Sequence, residues 1–415
     1  MKVIHLSWSD RHGGAARAAF RLNAALNQAG IQSGILSAAG YLDSVGQRHP
    51  LRGIDRILTR GSARIDQLPL ANYRGRESAL FSPACAPDRL AGRLLLHDAD
   101  LVHLHWINNG FMRIETLPRL KKKIVWTFHD MWPFTGGCHY SNGCRNFMTS
   151  CGTCPQLDSD RKHDLSDRIF QRKKTAWSKT PFEVVTPSRW LADVASSSRL
   201  LRGYAIHAIP NAIDTAVFAP TDKTLARAEF GLPKEGIILL FGALTGGGDK
   251  RKGFHFMAPL LARLAKRHSQ GMIRLAVLGM KAPPDGQVFP FPVTYLGLLD
   301  DDRTIARAYS AADVLVVPSI EDNLPNSVME AGSCEVPSVA FRTGGLPDLI
   351  EHTYTGYLAK PFDVEDLASG ISSFITEPQS ALQAGKIARQ RVIANYSYDV
   401  VARQHEALYS RVMAS

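Results

Sequence analysis

Long apolar runs are missing. Nowhere in the 415 residues do about 18 apolar side chains follow one another, which excludes a membrane-spanning helix. The opening stretch MKVIHLSWSD turns polar too soon for a signal peptide and reads as a first strand, so the expected compartment is the cytoplasm. Short repeats, low-complexity segments and disordered linkers are also missing. The first strand-to-helix connection, SWSDRHGGAARAA, is not G-x-G-x-x-G, which argues against a dinucleotide. The Gly-rich stretch FGALTGGGDKRKGF lacks the G-K-[ST] ending of a P-loop, which argues against that class of nucleotide hydrolase. Acid is scarce in one half only. Residues 1–210 carry 29 Lys and Arg against 16 Asp and Glu, and the remainder 20 against 22, within a net charge of +11. A basic half implies an anionic partner. Aromatic-interleaved basic strands and a recognition helix are lacking, so nucleic acid ranks last among such partners.

What is present describes a soluble α/β protein. Hydrophobic residues make up 45% and charged residues 21%, and a chain of this length is expected to form two domains of about 200 residues. Apolar runs recur throughout: KVIHLSW, DLVHLHW, KIVWTFHD and FEVVTPS, then GIILLFGAL, IRLAVLG, VTYLG, DVLVVPS and PSVAF. Amphipathic stretches such as ARAAFRLNAALNQAG and GFHFMAPLLARLAKRH separate them, which predicts two doubly wound sheets. HAIPNAIDTAVFAP, at 207–220, interrupts the pattern. The expected domains are therefore 1–210 and 211–395, with a last helix from about 396 to 415 packing back on the first.

Ligand chemistry is expected at the carboxyl ends of the strands. After DVLVVP comes SIEDNLPNSVMEAGS, where Glu321, Asp322 and Glu330 surround an Asn323-Leu324-Pro325-Asn326 turn before a helix. A carboxylate near a helix start is unremarkable alone; the cluster points to a ligand with hydroxyls and phosphates. Arg251 and Lys252, after three glycines, offer charge-assisted contacts to a diphosphate. Gly13 and Gly14 would let backbone approach a phosphate or sugar, with a plain tight turn as the equal alternative. His129 ends the strand KIVWTFHD, where an imidazole can bond a sugar hydroxyl or share developing charge; His103 and His105 read as scaffold or acceptor-side groups. The loop that follows holds Cys138, Cys144, Cys151 and Cys154 in C-x5-C-x6-C-x2-C spacing. In a reducing compartment this reads as a structural Zn²⁺ site, with His139 as a substitute ligand and free or disulfide-linked thiols as the alternative. Arg52, Arg56, Arg60 and Arg64 form a basic stripe suited to an anionic membrane surface, or a solvated face paired with Asp55 and Asp66.

Taken together, HGGAARAAFRLNAAL, DLVHLHWINNGFM, WTFHDMWPFTGGCHY, VTPSRWLAD, IPNAIDTAVFAP, RKGF and EDNLPNSVMEA resemble the family 4 retaining glycosyltransferases of GT-B fold, in particular those of colanic-acid and exopolysaccharide biosynthesis. The resemblance implies two Rossmann-like domains facing across a cleft, with a nucleotide-sugar donor on the second and a lipid-linked or saccharide acceptor on the first. It implies metal-independent catalysis, without a cofactor or covalent nucleophile. Glu330 is similar to the family Glu that holds the donor ribose. Asp322 stands where the family has a Glu near the donor sugar, one methylene shorter, and Glu321 could compensate. Ala243 stands where the family usually has an Arg; Lys252 matches the phosphate-binding Lys. These departures keep a non-catalytic nucleotide-sugar-binding protein in view, and the shared fold keeps an epimerase in view.

Overall fold

The computed structural model describes residues 1–51, 61–242, 249–282 and 289–415. Two compact units divide the chain: Met1–Ala212 with Tyr398–Ser415, and Ile213–Ser397. The division falls two residues beyond the junction read from the proline-interrupted stretch, and it returns the last helix to the first unit.

In unit 1, among the described residues, an eight-stranded sheet has the order β4-β3-β2-β1-β5-β6-β7-β8. Its strands are β1 Lys2–Leu6, β2 Gln32–Ser37, β3 Gly40–Leu42, β4 Arg48–Pro50, β5 Leu101–Leu104, β6 Lys123–Thr127, β7 Glu183–Thr186 and β8 Ile206–Ala208. The pairs from β2 through β8 are parallel, and β3 and β4 add an antiparallel edge. Strands β1, β5, β6 and β7 are the four apolar runs of the first half. Strands β2, β3, β4 and β8 were not legible: β2 is broken by Gly34, and the others are three residues long. The last helix, Tyr398–Ala414, buries Val401, Ala402, Leu408, Tyr409 and Val412 against Val3, Leu22, Leu26 and Leu101. Each such aliphatic burial contributes about 1.5–3 kcal/mol, which anchors the chain's end in the first unit's core.

In unit 2, six parallel strands have the order β11-β10-β9-β12-β13-β14. They are β9 Ile237–Gly242, β10 Ile273–Leu278, β11 Val293–Gly297, β12 Val314–Val317, β13 Ser338–Phe341 and β14 Gly356–Ala359. The period-2 alternation of strands sends Ile238 and Leu240 to one face and Leu239 and Phe241 to the other. Both faces are covered, which is why these strands read as continuous apolar runs. Helix starts follow the side-chain chemistry of caps: Asp222, Asp301 and Asp363 each accept backbone N–H bonds at the starts of their helices.

Candidate active site

Strand order locates the crevice in each unit. In unit 2 the chain runs from β9 outward to β10 and β11, then returns to β12 on the other side of β9. The switch point lies between β9 and β12, and ligands of open α/β sheets sit beyond the carboxyl ends there. Lys252 follows β9 and Asp322 follows β12. Their side chains, 70 positions apart, form an ion pair, with Asp322 9% exposed and Lys252 45% exposed. The phosphate-binding Lys and the sugar-contacting carboxylate read from sequence thus meet each other at the switch point. Arg251 is tied into its own turn, donating to Asp249 Oδ2 at 2.6 Å and to the Glu321 carbonyl at 3.1 Å. The turn presses hard on the strand end: a Cβ on Gly253, whose φ is +72°, would lie 1.8 Å from the Pro318 carbonyl oxygen. Only glycine fits that approach.

The helix Asn326–Ser333 begins immediately after Pro325, which occupies its cap position without a side-chain hydrogen bond. Glu330 lies in the helix's second turn, buried, and accepts a hydrogen bond from the Tyr309 hydroxyl at 2.9 Å. Asn323 and Leu324 are buried beneath the turn, while Glu321 and Asn326 are partly exposed. A third loop joins them: Gly345 N–H donates to the Asp322 carbonyl at 2.9 Å, and Thr343 Oγ1 donates to the Ser319 carbonyl at 2.7 Å. Sequence reading missed Tyr309 and this loop. The Gly344-Gly345 pair just after β13 was an available signal; nothing in the helix Asp302–Ser310 marks Tyr309. Ala243 and the three glycines lie outside the described residues.

In unit 1 the switch point lies between β1 and β5. Gly13 caps the helix Gly14–Gln28 with φ +95°, so both glycines sit where the first strand feeds its helix. His129 stands two residues past β6, partly exposed, and joins a row of imidazoles. His129 Nε2 and His105 Nδ1 are 3.0 Å apart, His105 Nε2 and His5 Nδ1 2.8 Å, and His5 Nε2 and Ser33 Oγ 2.9 Å. Ser33 donates its own hydroxyl proton to Asn23 Oδ1 at 2.8 Å, so it must accept from His5. The protons then run one way. His5 carries hydrogen on Nε2 and accepts on Nδ1 from His105 Nε2–H. His105 accepts on Nδ1 from His129 Nε2–H. Neutral His129 is thereby fixed with Nδ1 as its acceptor nitrogen. Burial lowers the His129 pKa to about 4, partly opposed by Asp130, and lowers His105 well below the ordinary range. His103 is engaged by Tyr409 at 2.6 Å and Thr127 at 2.7 Å, so both strand histidines belong to the interior.

Asp130 and His139 form a separate network. Asp130 accepts from Trp106 Nε1 and the Trp132 N–H, each at 2.9 Å, and lies 2.6 Å from His139 Nδ1; His139 Nε2 is 2.8 Å from Ser82 Oγ. Burial works to raise the Asp130 pKa, but His139 and these donors hold it below the usual range. Both His139 ring nitrogens are thus engaged, one by Asp130 and the other by Ser82. Cys138, Cys144, Cys151 and Cys154 line one cavity. Of the basic stripe, Arg52, Arg56 and Arg60 lie outside the described residues, as does Asp55. Arg64 is exposed beside exposed Ile65 and Leu68. Asp66 is buried and accepts from the Cys85 and Ala86 N–H groups.

The same two-sheet plan recurs in proteins already known. Residues 12–217 match the family model described as Glycosyltransferase Family 4, and residues 235–377 match that described as Glycosyl transferases group 1. The chain belongs to the family 4 glycosyltransferases and has the GT-B fold. It is 26% identical over 379 residues to the putative colanic acid biosynthesis glycosyl transferase WcaC of Escherichia coli, covering 85% of each chain. It is 23% identical over 338 residues to the D-inositol 3-phosphate glycosyltransferase of Corynebacterium jeikeium, covering 75% of this chain and 72% of that one. Among solved structures, sucrose-phosphate synthase from Thermosynechococcus elongatus superposes with TM-score 0.68 at 20% identity over all of both chains. HepE of Anabaena, in complex with UDP-glucose, superposes with TM-score 0.60 at 16% identity over 99% of this chain and 100% of that one.

Proposed function

We propose that this glycosyltransferase moves a hexose, with retention at the anomeric carbon, from a nucleotide-sugar donor to a lipid-linked or saccharide acceptor in polysaccharide assembly. The observation that carries the reading is the Lys252–Asp322 ion pair at the switch point of unit 2, followed by the helix that holds buried Glu330 against Tyr309. HepE's complex with UDP-glucose and WcaC's place in colanic acid biosynthesis support the donor class and the product class.

In this reading Glu330, oriented by Tyr309, accepts hydrogen bonds from the donor ribose. The donor diphosphate draws Lys252 away from Asp322, which frees the carboxylate to bond a sugar hydroxyl. Arg251, Lys252 and the first N–H groups of the helix Asn326–Ser333 then stabilise charge on the departing diphosphate. As the bond from the anomeric carbon to the phosphate oxygen breaks, the acceptor oxygen bonds to the same face. Its proton passes to the departing phosphate oxygen. His129, held neutral, accepts from a sugar hydroxyl. The +13 balance of residues 1–210 and the exposed Arg64, Ile65 and Leu68 support peripheral contact with an anionic membrane bearing the acceptor. Among the described residues no helix is long and apolar enough to cross that membrane.

Incubation with a panel of nucleotide sugars, with saccharide and polyprenyl-diphosphate acceptors and with EDTA, tests this. Proton NMR of the product should show the donor's anomeric configuration and undiminished yield in EDTA. An inverted product refutes retention. Donor binding without transfer would favour the binding-protein reading, to which the shorter Asp322 carboxylate lends support, and an epimerised donor without acceptor would favour an epimerase.

A further inference from the structure

Between Thr135 and Asp164 the described backbone forms only two short 3-10 turns, Asn146–Met148 and Pro155–Leu157. Yet Phe147, Cys154 and Leu157 are buried in the unit 1 core. A segment so poor in regular hydrogen bonding needs another constraint to hold one shape. Its four cysteines, brought by successive turns, line a single cavity together with Thr135, Gly136 and Ser166. The fit there is close: a Cβ on Gly136 would lie 2.9 Å from Cys151 Sγ. None of the four is in a disulfide.

Two features of the surroundings suit sulfur that carries negative charge. Burial pushes the Cys154 and Cys151 thiols up, and this is partly offset by the backbone N–H groups of Gln156 and Leu157 at Cys154 and of Gly136 at Cys151. The second is Lys173, whose side chain is fully buried in the helix Leu165–Trp177. Its Nζ donates to the Thr135 carbonyl at 3.0 Å and to the Trp132 carbonyl, and sits 3.5 Å from the centre of the Trp132 ring. Burial lowers the Lys173 pKa well below its ordinary value, and negative charge on Cys138 or Cys151 would oppose that shift. Beside four neutral thiols, burial drives the Lys173 amine toward its neutral form, whereas thiolates would favour the ammonium.

We propose that Cys138, Cys144, Cys151 and Cys154 bind one Zn²⁺ as a structural site, with Lys173 as its buried counter-charge. Binding breaks four S–H bonds, forms four Zn–S bonds and releases four protons, giving a centre of formal charge 2− that the ammonium offsets. Zinc–thiolate bonds of about 2.3 Å place tetrahedral sulfurs about 3.8 Å apart. Among the described residues, the one group of three or more ligand atoms already within 4.8 Å of one another is His5, His103 and His105. The four sulfurs stand wider, so the metal must draw them in. The histidines already meet but bond one another, Ser33, Thr127, Tyr409 and His129, so their nitrogens are committed elsewhere.

Metal analysis of protein purified without a His tag tests the site independently of any transferase activity. About one zinc per chain is expected, retained in Cys85→Ser and lost in Cys151→Ser or Cys154→Ser. Should those variants fail to fold, the wild type decides: mercurial titration should release the zinc as its thiols are blocked, and cobalt substitution should give thiolate charge-transfer and tetrahedral ligand-field absorption. Less than about a tenth of a zinc per chain, with the loop thiols freely reactive or paired in disulfides, overturns the proposal.

Discussion

Beneath the carboxyl edge of the eight-stranded sheet lie His5, His103 and His105, flanked by His405 of the last helix and by half-buried His129. The corresponding depth of the six-stranded sheet holds Leu239, Leu240, Val316 and Val339, with Asp322 and Glu330 reserved for its rim. The same open-sheet plan thus stores titratable groups in its interior in one unit and keeps its interior aliphatic in the other. Unit 1 depends on proton bookkeeping inside its core, and unit 2 on charge at its edge.

Acid should expose that difference most strongly. Burial, with the charge of His405 adding to it, lowers the His5 pKa to about 3; burial lowers His405 to about 4, and His103 and His105 well below the ordinary value. The unfolded chain, with histidine pKa near 6.5, binds more protons than the folded one below that pH. Stability from these four groups is therefore complete above about pH 6.5 and falls as the pH drops toward the folded values. Between pH 7 and 5.5 each contributes a loss of about 1 kcal/mol, so unit 1 should lose about 4–5 kcal/mol while unit 2 changes little. Scanning calorimetry at the two pH values checks this; equal shifts of both transitions would erase the comparison.

At the rim of unit 2, Glu330→Gln should lower transfer about 30- to 150-fold, the equivalent of about 2–3 kcal/mol, with the melting of both units unchanged. Steady-state kinetics and calorimetry on one preparation test it, and wild-type rates would remove Glu330 from the site. A smaller effect belongs to unit 1's imidazole row. His105→Phe should lower kcat about tenfold by releasing His129 from its single tautomer. Nitrogen-15 spectra of the histidines should show His129 moving from protonated Nε2 to a mixture, and an unchanged His129 signal would make His105 mere packing. Smallest of all, Tyr309→Phe should cost transfer a few-fold, about 1 kcal/mol, because Glu330 keeps its place but loses one donor. A loss as large as that of Glu330→Gln would mean the hydroxyl itself meets the donor.

Much of the plan was legible because strands buried on both faces are continuous apolar runs. VLVV and KVIHL could scarcely be anything else, and the carboxyl ends of β6, β9 and β12 pointed to His129, to Lys252 and to Asp322 with Glu330. What stayed hidden were pairings across long separations. No local pattern announces that Lys252 will meet Asp322, or that Tyr309 will hold Glu330. The histidine row draws on β1, β5, the end of β6 and the final helix, 400 positions from its first member to its last, so His103 and His105 could be read only as scaffold or acceptor-side groups. Asp66 is another such case: nothing in its neighbourhood along the chain announces that its carboxylate will accept the Cys85 and Ala86 N–H groups, 19 and 20 positions away.

The central claim is that the edge of unit 2, and not the imidazole row of unit 1, grips the donor's diphosphate. Titration calorimetry of a nucleoside diphosphate against four proteins decides it. Relative to wild type, Lys252→Ala should weaken binding about tenfold or more and Arg251→Ala a few-fold, while His129→Ala binds as wild type does. Unchanged affinity in the Lys252→Ala, Arg251→Ala double variant would contradict the account and place the phosphates elsewhere.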